Sequence, residues 1–484
     1  MSDPRDARIQ ELERELAVRD AKLAEQATKL AEQATKLAEQ AEAIAALKQQ
    51  VAKLLEQLNQ NSSNSHKPPS SDPPGKRNPQ RNKDKRNRKK RKRGGQKGHK
   101  GSRRELLPPE QVDDFVHHFP SQCESCWLAL PQVHDKDAQR EQVIEVPPIR
   151  PHVTEHQRHA VTCPHCRFVT KARHDAMPKS PFGPRLMALI ALFTGVYHVS
   201  RRRTQELLGD VLGVTMSLGA ISTVEARVSA AIEPAVDEAW ERAKDADVKH
   251  TDGTSWLQAG KSLSLWVLAT AAATVYRIVA NGAADTLKPL FGELKGILVS
   301  DRATALLFWP MGFRQVCWAH LLRKFVSFSE RDGPAGQLGL ELLNYTGLLF
   351  QYWRDHRNGQ ITDERFSAWM APVRKQVEAA LKKGVALDIK GVSGSCADIL
   401  KYRRALWTFV DRFDVDPTNN HGERELRGFV LWRKRCFGTQ SERGNLFAER
   451  IMTVAHTARK QGRNVLAFLT ASCRGEGPSL FESA

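Results

Sequence analysis

An apolar residue returns every seventh position from the start of the chain: Ile9, Leu16, Leu23, Leu30, Leu37, Ile44, Val51 and Leu58. Ala27, Ala34 and Ala41 lie four residues after three of the leucines, and AKLAEQATKLAEQATKLAEQ is close to a perfect internal repeat. A strict seven-residue period keeps one seam of a helix toward a partner, which predicts a coiled coil over residues 1–60. The seam needs covering, so self-association through the coil is expected. The small Ala seam and Gln26, Gln33 and Gln40 leave orientation and strand number open. The pattern breaks at NQNSSNSHKPPSSDPPGK, where Asn, Ser and Pro predict a flexible linker over 61–105.

Other periods occupy the rest of the chain. Residues 141–162, EQVIEVPPIRPHVTEHQRHAVT, alternate in a way that predicts the two strands of a hairpin. Between 184 and 240 the period is helical. SRRRTQELLGDVLGVTMSLGAISTVEARVSAAI reads as a helix, the turn GVTMS, and a second helix from Leu218. That is the shape of a helix-turn-helix, with Ser222, Thr223 and Arg227 on the second helix, although many helical scaffolds share it.

From residue 248, VKHTDGTSWLQ, SLSLWVLATAAA and TVYRIVA predict three successive strands. ADTLKPLFGEL predicts a helix, GILVSDRA a fourth strand, and RQVCWAHLLRKFV a fifth strand running into a helix. Three strands in meander, a crossover helix and a further strand is the order of an RNase H-like domain, with the fourth strand parallel to the first. Residues 330–412 are helix-rich and read as a helical insertion before the last catalytic helix. The expected architecture is a multidomain α/β chain: coiled coil 1–60, basic linker 61–105, zinc-binding module 106–175, helical DNA-binding domain 176–245, and RNase H-like core 246–329. The insertion 330–412, a final core helix within 413–450 and a helical tail 451–484 complete it.

Charge narrows the class. The net charge is +19, and Lys76–Arg104 holds 16 Lys/Arg against the single acid Asp84, leaving about +4 for the rest. Such a block releases many counterions on meeting a polyanion. Nucleic acid is the expected partner rather than membrane, because no apolar anchor accompanies the charge. No run of about 18 apolar residues exists, so no span is expected. The opening MSDPRDARIQELERE is unlike a signal peptide. Of eight cysteines, Cys123-x-x-Cys126 and Cys163-x-x-Cys166, with 36 residues between the pairs, can supply four thiolates to one structural zinc; the alternative is four ordinary buried cysteines. Chain size and scattered remaining cysteines favour a reducing compartment.

Two apolar runs each end in a lone aspartate, Asp252 and Asp301. Adjacent parallel strands would make these distant carboxylates neighbours, able to share hard magnesium ions. A third acid is Glu423 in DPTNNHGERELRGFVLWRKRCFGTQSERG. It shares a helix face with Asn420 and Arg427, and Glu425 points roughly the opposite way. Asn420-x-x-Glu423 also has the form of a capping box.

NSSNSHKPPSSD, GGQKGHKG, the paired CxxC, HTDGTSW, SDRA, CWAHLLRKF and TNNHGERELR…WRKRCFGTQSERG together resemble the transposases of the insertion-sequence-66 family, in order along nearly the whole chain. The resemblance implies a DDE transposase whose Asp252, Asp301 and Glu423 bind two Mg²⁺. It implies DNA partners (terminal inverted repeats and target), a bacterial cytoplasmic, nucleoid-associated location, and small accessory proteins. The basic block at 76–93 is longer than the resemblance covers, and the AEQATKL repeat looks like a local expansion. Candidate phosphate contacts are Arg323 and Lys324, with His320 beside them as a ligand-orienting or core histidine, and Arg427, Arg433 and Lys434. Trp256 is expected in the core. The rival readings are an inactive DNA-binding scaffold and an RNase H-like nuclease or resolvase that does not join strands.

Overall fold

The computed structural model describes residues 4–62, 64–65, 105–172 and 180–481. The basic run Lys76–Arg104, most of the expected linker and GGQKGHKG lie outside the described residues. In chain order, helix α1 spans Pro4–Asn59, and β1 (Ala160–Thr162) and β2 (Val169–Lys171) form a short antiparallel pair. Helices α2 (Pro184–Ala191), α3 (Arg201–Leu212), α4 (Leu218–Ala231) and α5 (Glu233–Asp245) come next. Then come strands β3 (Val248–Gln258), β4 (Lys261–Ala269) and β5 (Thr274–Val279), helix α6 (Ala284–Phe291), and strands β6 (Ile297–Ser300) and β7 (Arg314–Val316). The remainder is helical: α7 (Trp318–Ser329), α8 (Gly333–Arg357), α9 (Asp363–Ala386), α10 (Ser393–Lys401), α11 (Thr408–Asp411), α12 (Asn420–Cys436), α13 (Glu442–Lys460) and α14 (Val465–Arg474).

The chain divides into two compact units, Met1–Lys76 with Cys317–Asp411, and Arg77–Val316 with Arg412–Ala484. The second holds a five-stranded sheet in the order β5-β4-β3-β6-β7. β3 to β5 form an antiparallel meander, whereas β6 runs parallel to both β3 and β7. The crossover through α6 makes that parallel pairing possible, as the sequence order predicts. Helix α12 packs on β3 and β4, and α13 on β5. Trp256, Tyr276, Phe429 and Ile451 are buried between sheet and helices. Trp256 is a core residue, fully buried, its Nε1 donating to Asn445 Oδ1 at 3.1 Å.

In the same unit, α3 and α4 form the expected helical hairpin. Gly213 closes α3 at φ 64°, a left-handed turn that suits glycine, and Val214 N donates back to Leu208 O at 2.9 Å. Ser217 then caps α4 by accepting from Ala220 N at 3.1 Å. Ile221, Val224 and Val228 bury one face of α4, and Arg201 pairs with the buried Glu225 at 2.6 Å.

The chain departs from its sequence pattern in two places. Residues 141–159 carry no strand; the short ladder instead flanks the second CxxC. Pro147, Pro148 and Pro151 interrupt the alternating run and cannot donate to a ladder. Asp252 does not end a strand either, since β3 continues six residues beyond it, paired to β4 as far as Gln258. Its partner β6 stops at Ser300.

The first unit is a helical assembly. α7, α8, α9 and α10 pack in sequence, with Trp318, Leu321, Phe325 and Phe328 buried on α7. Trp318 Nε1 donates to Leu406 O at 2.7 Å. This unit resumes at Cys317, so α7 falls with the helices rather than with the sheet, where the sequence pattern alone would put it. Leu16, Leu23, Leu30, Leu37, Ile44 and Val51 leave α1 with one long exposed apolar seam. Past Asn59 the expected flexible linker opens on a built turn. Asn64 is buried, accepts from Asn61 N at 2.8 Å and donates to Glu330 Oε2 at 2.8 Å. Asparagine side chains imitate backbone bonds in this way, so the residues that break a helix can also order the segment beyond it. Among the described residues, no helix is long and apolar enough to cross a membrane.

Candidate active site

The register of β3 against β6 sets the two aspartates. Val248 lies opposite Ile297, Lys249 opposite Leu298 and His250 opposite Val299, a constant offset of 49 residues. Continued two residues, that offset carries Asp252 and Asp301 to the same level. Neighbouring strands run about 4.8 Å apart, so the two backbones are close where these carboxylates leave them. Asp301 is the first residue past β6, where its Oδ1 accepts from Ala303 N at 2.9 Å and forms a tight turn. Asp252 Oδ1 accepts from Gly253 N at 2.9 Å. The loop after β6 is held by Arg314, fully buried on β7. Its guanidinium donates to Ser300 Oγ at 3.0 Å, Asp301 O at 3.1 Å and Leu306 O at 3.2 Å.

The start of α12, the helix that carries Glu423, is tied to β3 through Asn419. The residue at the N-cap is Asn419, not Asn420, so the capping-box reading of Asn420 and Glu423 does not hold; Glu423 lies one position too deep. Asn419 makes no side-chain cap. An uncapped start forgoes about 1 kcal/mol. Its Nδ2 instead donates to Thr251 O at 2.8 Å and its Oδ1 meets His250 Nδ1 at 3.1 Å, both on β3 beside Asp252. Burial and the nearby His421 push the His250 imidazole down to about 4, so the ring is neutral at physiological pH. The ligand oxygens of Asp252, Asp301 and Glu423 do not all lie within 4.8 Å of one another.

Glu425 belongs to a cluster that the sequence pattern does not reveal. Its carboxylate meets His456 Nδ1 at 2.5 Å, Lys460 Nζ at 3.4 Å and His421 Nε2 at 3.6 Å. Tyr276 donates its hydroxyl to Glu425 O at 2.8 Å. Burial opposes the charge on Glu425, but the bonds from His421 and His456 and the charge of Lys460 outweigh it and hold the carboxyl below its ordinary range. Helical spacing does set Glu425 away from Glu423, yet that side is packed rather than open. The signal available in sequence is the pairing of His421 and Glu425 at i, i+4.

The proposed phosphate-binding residues are scattered. Arg427 and Lys434 are exposed on α12. Arg433 is directed inward: its Nη1 donates to Thr254 Oγ1 at 3.1 Å and to Ser255 O, tying α12 to β3. On α4, Thr223 and Arg227 are exposed, with the Thr223 hydroxyl returned to Gly219 O at 3.0 Å. Ser222 accepts from Arg443 Nη2 at 2.6 Å, an internal contact with α13. His320, Arg323 and Lys324 lie half-buried on α7 in the other unit, the Lys324 ammonium 5.5 Å from the Phe328 ring.

The two CxxC turns are copies of each other. Cys123 N donates to Leu128 O at 2.9 Å and Cys163 N to Phe168 O at 2.8 Å. Trp127 N returns to Cys123 O at 2.9 Å and Arg167 N to Cys163 O at 3.0 Å, with φ of 60° and 63° at Trp127 and Arg167. Even the flanking pairs match, Gln122 with Ala129 and Thr162 with Val169. In each turn, backbone N–H groups aimed at the first sulfur (from Cys126 and Ser125, and from Cys166 and His165) lower that thiol's pKa. All four cysteines are at least partly exposed, which overturns the buried-cysteine alternative. No three of the four sulfurs lie within 4.8 Å of one another.

No curated protein matches the chain. Residues 1–105, the coil and the segment after it, match a family of unknown function, DUF6444. Residues 179–446 match the family described as Transposase IS66 family. That match runs from ahead of α2 through the helical hairpin and the sheet and past α12, so it spans Asp252, Asp301 and Glu423 and covers more than half of the sequence. The chain belongs to the IS66 family of transposases.

Proposed function

We propose that the chain is a DDE transposase that cuts and joins the ends of an insertion sequence by in-line phosphoryl transfer. The observation that carries this reading is the parallel register of β3 and β6, which brings Asp252 level with Asp301. The start of α12, bonded to Thr251, supports Glu423 as the third carboxylate. Strand order and the α6 crossover support an RNase H-like description of the sheet.

The donor set fits magnesium, since all three groups offer hard oxygen and two of them leave adjacent parallel strands. Two Mg²⁺ held by Asp252, Asp301 and Glu423 would neutralise charge at the attacked phosphate and acidify the attacking hydroxyl. Arg427 and Lys434, exposed on α12, and Arg227 and Thr223, exposed on α4, are suited to bind DNA phosphates, and the basic run Lys76–Arg104 would add sequence-independent affinity. The paired thiol turns fit one structural Zn²⁺ on Cys123, Cys126, Cys163 and Cys166, because the backbone N–H groups of each lower the pKa of its first thiol. The exposed seam of α1 supports self-association. Such an enzyme acts on DNA in the cytoplasm.

The test is incubation of the full chain with labelled DNA carrying the element's own ends, Mg²⁺ and any companion proteins encoded with it. Cleavage and then joining is the expected result. Cleavage without joining makes the chain a nuclease or resolvase, and binding without either makes it a scaffold.

A further inference from the structure

We infer that Asn419 is a positioning residue for the carboxylate site: it fixes Glu423 against Asp252 by clamping the start of α12 to β3. The inference rests on the assignment of Glu423 as a metal-binding carboxylate. Asn419 is 1% exposed and occupies an N-cap position without capping the helix. Its amide is used across the interface. Because Nδ2 donates to Thr251 O, the Oδ1 must accept, and His250 Nδ1 must carry the proton. The result is a directed relay, His250 N–H to Asn419 Oδ1 and Asn419 N–H to Thr251 O, in which every group has one role. Both anchor points immediately precede Asp252, and Glu423 N donates to Asn419 O at 3.0 Å. One residue thus touches the strand that presents Asp252 and the helical turn that presents Glu423.

Gly422 fits the same arrangement. A Cβ there would meet Asn419 Oδ1 at 2.9 Å and Nδ2 at 3.2 Å. The glycine sits in the first turn of a helix, where its conformational freedom is a disadvantage, and its missing side chain leaves room for the amide.

Asn419→Asp keeps the shape but removes the donor and sets a carboxylate oxygen against the Thr251 carbonyl. Residues that orient metal ligands without touching the metal typically change affinity 10–100-fold when replaced. In the full chain, Asn419→Asp should weaken Mn²⁺ binding by about tenfold or more in isothermal titration, and shift the Mn²⁺ dependence of cleavage equally. Its affinity for end DNA in EDTA should stay within about twofold of the parent chain. Gly422→Ala favours the helix while crowding the amide, and should weaken Mn²⁺ binding in the same direction; it decides the matter if Asn419→Asp does not fold. Glu423→Gln is run in parallel. If Glu423→Gln loses Mn²⁺ binding while Asn419→Asp and Gly422→Ala bind as the parent does, the inference is overturned. If Glu423→Gln itself binds and cleaves normally, the assignment of the site fails instead.

Discussion

His456 Nδ1 lies 2.5 Å from a carboxylate oxygen of Glu425, joining α13 to α12 behind the face that carries Glu423. With Lys460 and His421 also on it, Glu425 is a largely buried charge, 13% exposed, held by its partners. Removing one member of such a group leaves the others uncompensated, at a cost of about 3–5 kcal/mol. Glu425→Ala should therefore lower the thermal midpoint sharply and lose cleavage through unfolding. Circular dichroism melting separates this from a catalytic defect: Glu423→Ala should melt like the parent chain, and equal melting of Glu425→Ala and the parent would refute the structural role.

Glu449 gives a pH signature. Burial pushes its carboxyl up to about 7, against the opposing bond from Ile278 N and the charges of Arg277 and Arg450. The folded state thus holds a proton that the unfolded chain releases near the ordinary value of 4.5. The stabilisation is complete below about pH 4.5 and is lost as pH rises to about 7, a change on the order of 3 kcal/mol. Glu449→Gln keeps the acceptor for Ile278 N and should gain stability relative to the parent across that window, levelling off above it. Denaturant melts at pH 5 and pH 8 check this; a difference between the two proteins that does not change with pH would contradict it.

Much of this is legible in sequence, for identifiable reasons. The run from Val248 to Gln258 holds the β-branched Val248, Thr251 and Thr254 with Trp256, so its composition predicts strand β3, although not that Asp252 lies within the strand rather than at its end. The crossover order predicts the parallel β3–β6 pairing, which the register from Val248 to His250 bears out. The packed environment of Glu425 is hidden because its partners Lys460 and His456 are more than thirty residues away and their meeting depends on α13 packing over β5. Asn419 is indistinguishable from Asn420 in sequence, since N-cap chemistry is common to both and only the tertiary contact with Thr251 separates them. The hairpin expected between the CxxC pairs fails where prolines break an apolar alternation.

The two thiol turns predict about one bound zinc per chain by elemental analysis. Cys163→Ser should lose it and weaken DNA binding, with the carboxylate site still binding Mn²⁺. A parent chain that is metal-free, with all four thiols titratable, would end this proposal.

The exposed seam of α1 predicts assembly. Leu30→Lys with Leu37→Lys places charge on that seam and should reduce the mass seen in sedimentation equilibrium to that of one chain. Equal monomeric mass for parent and variant would show that the coil does not pair.

The most direct test of the central claim is cleavage and strand transfer by Asp252→Ala, Asp301→Ala and Glu423→Ala, each measured with Mg²⁺ on labelled end DNA beside its DNA affinity in EDTA. Each variant should lose both reactions while binding DNA as the parent does, and pairwise combinations should be no worse than single changes, because the carboxylates act as a unit. Normal cleavage by all three variants would contradict the two-metal account altogether, and normal cleavage by Glu423→Ala alone would remove Glu423 from the site.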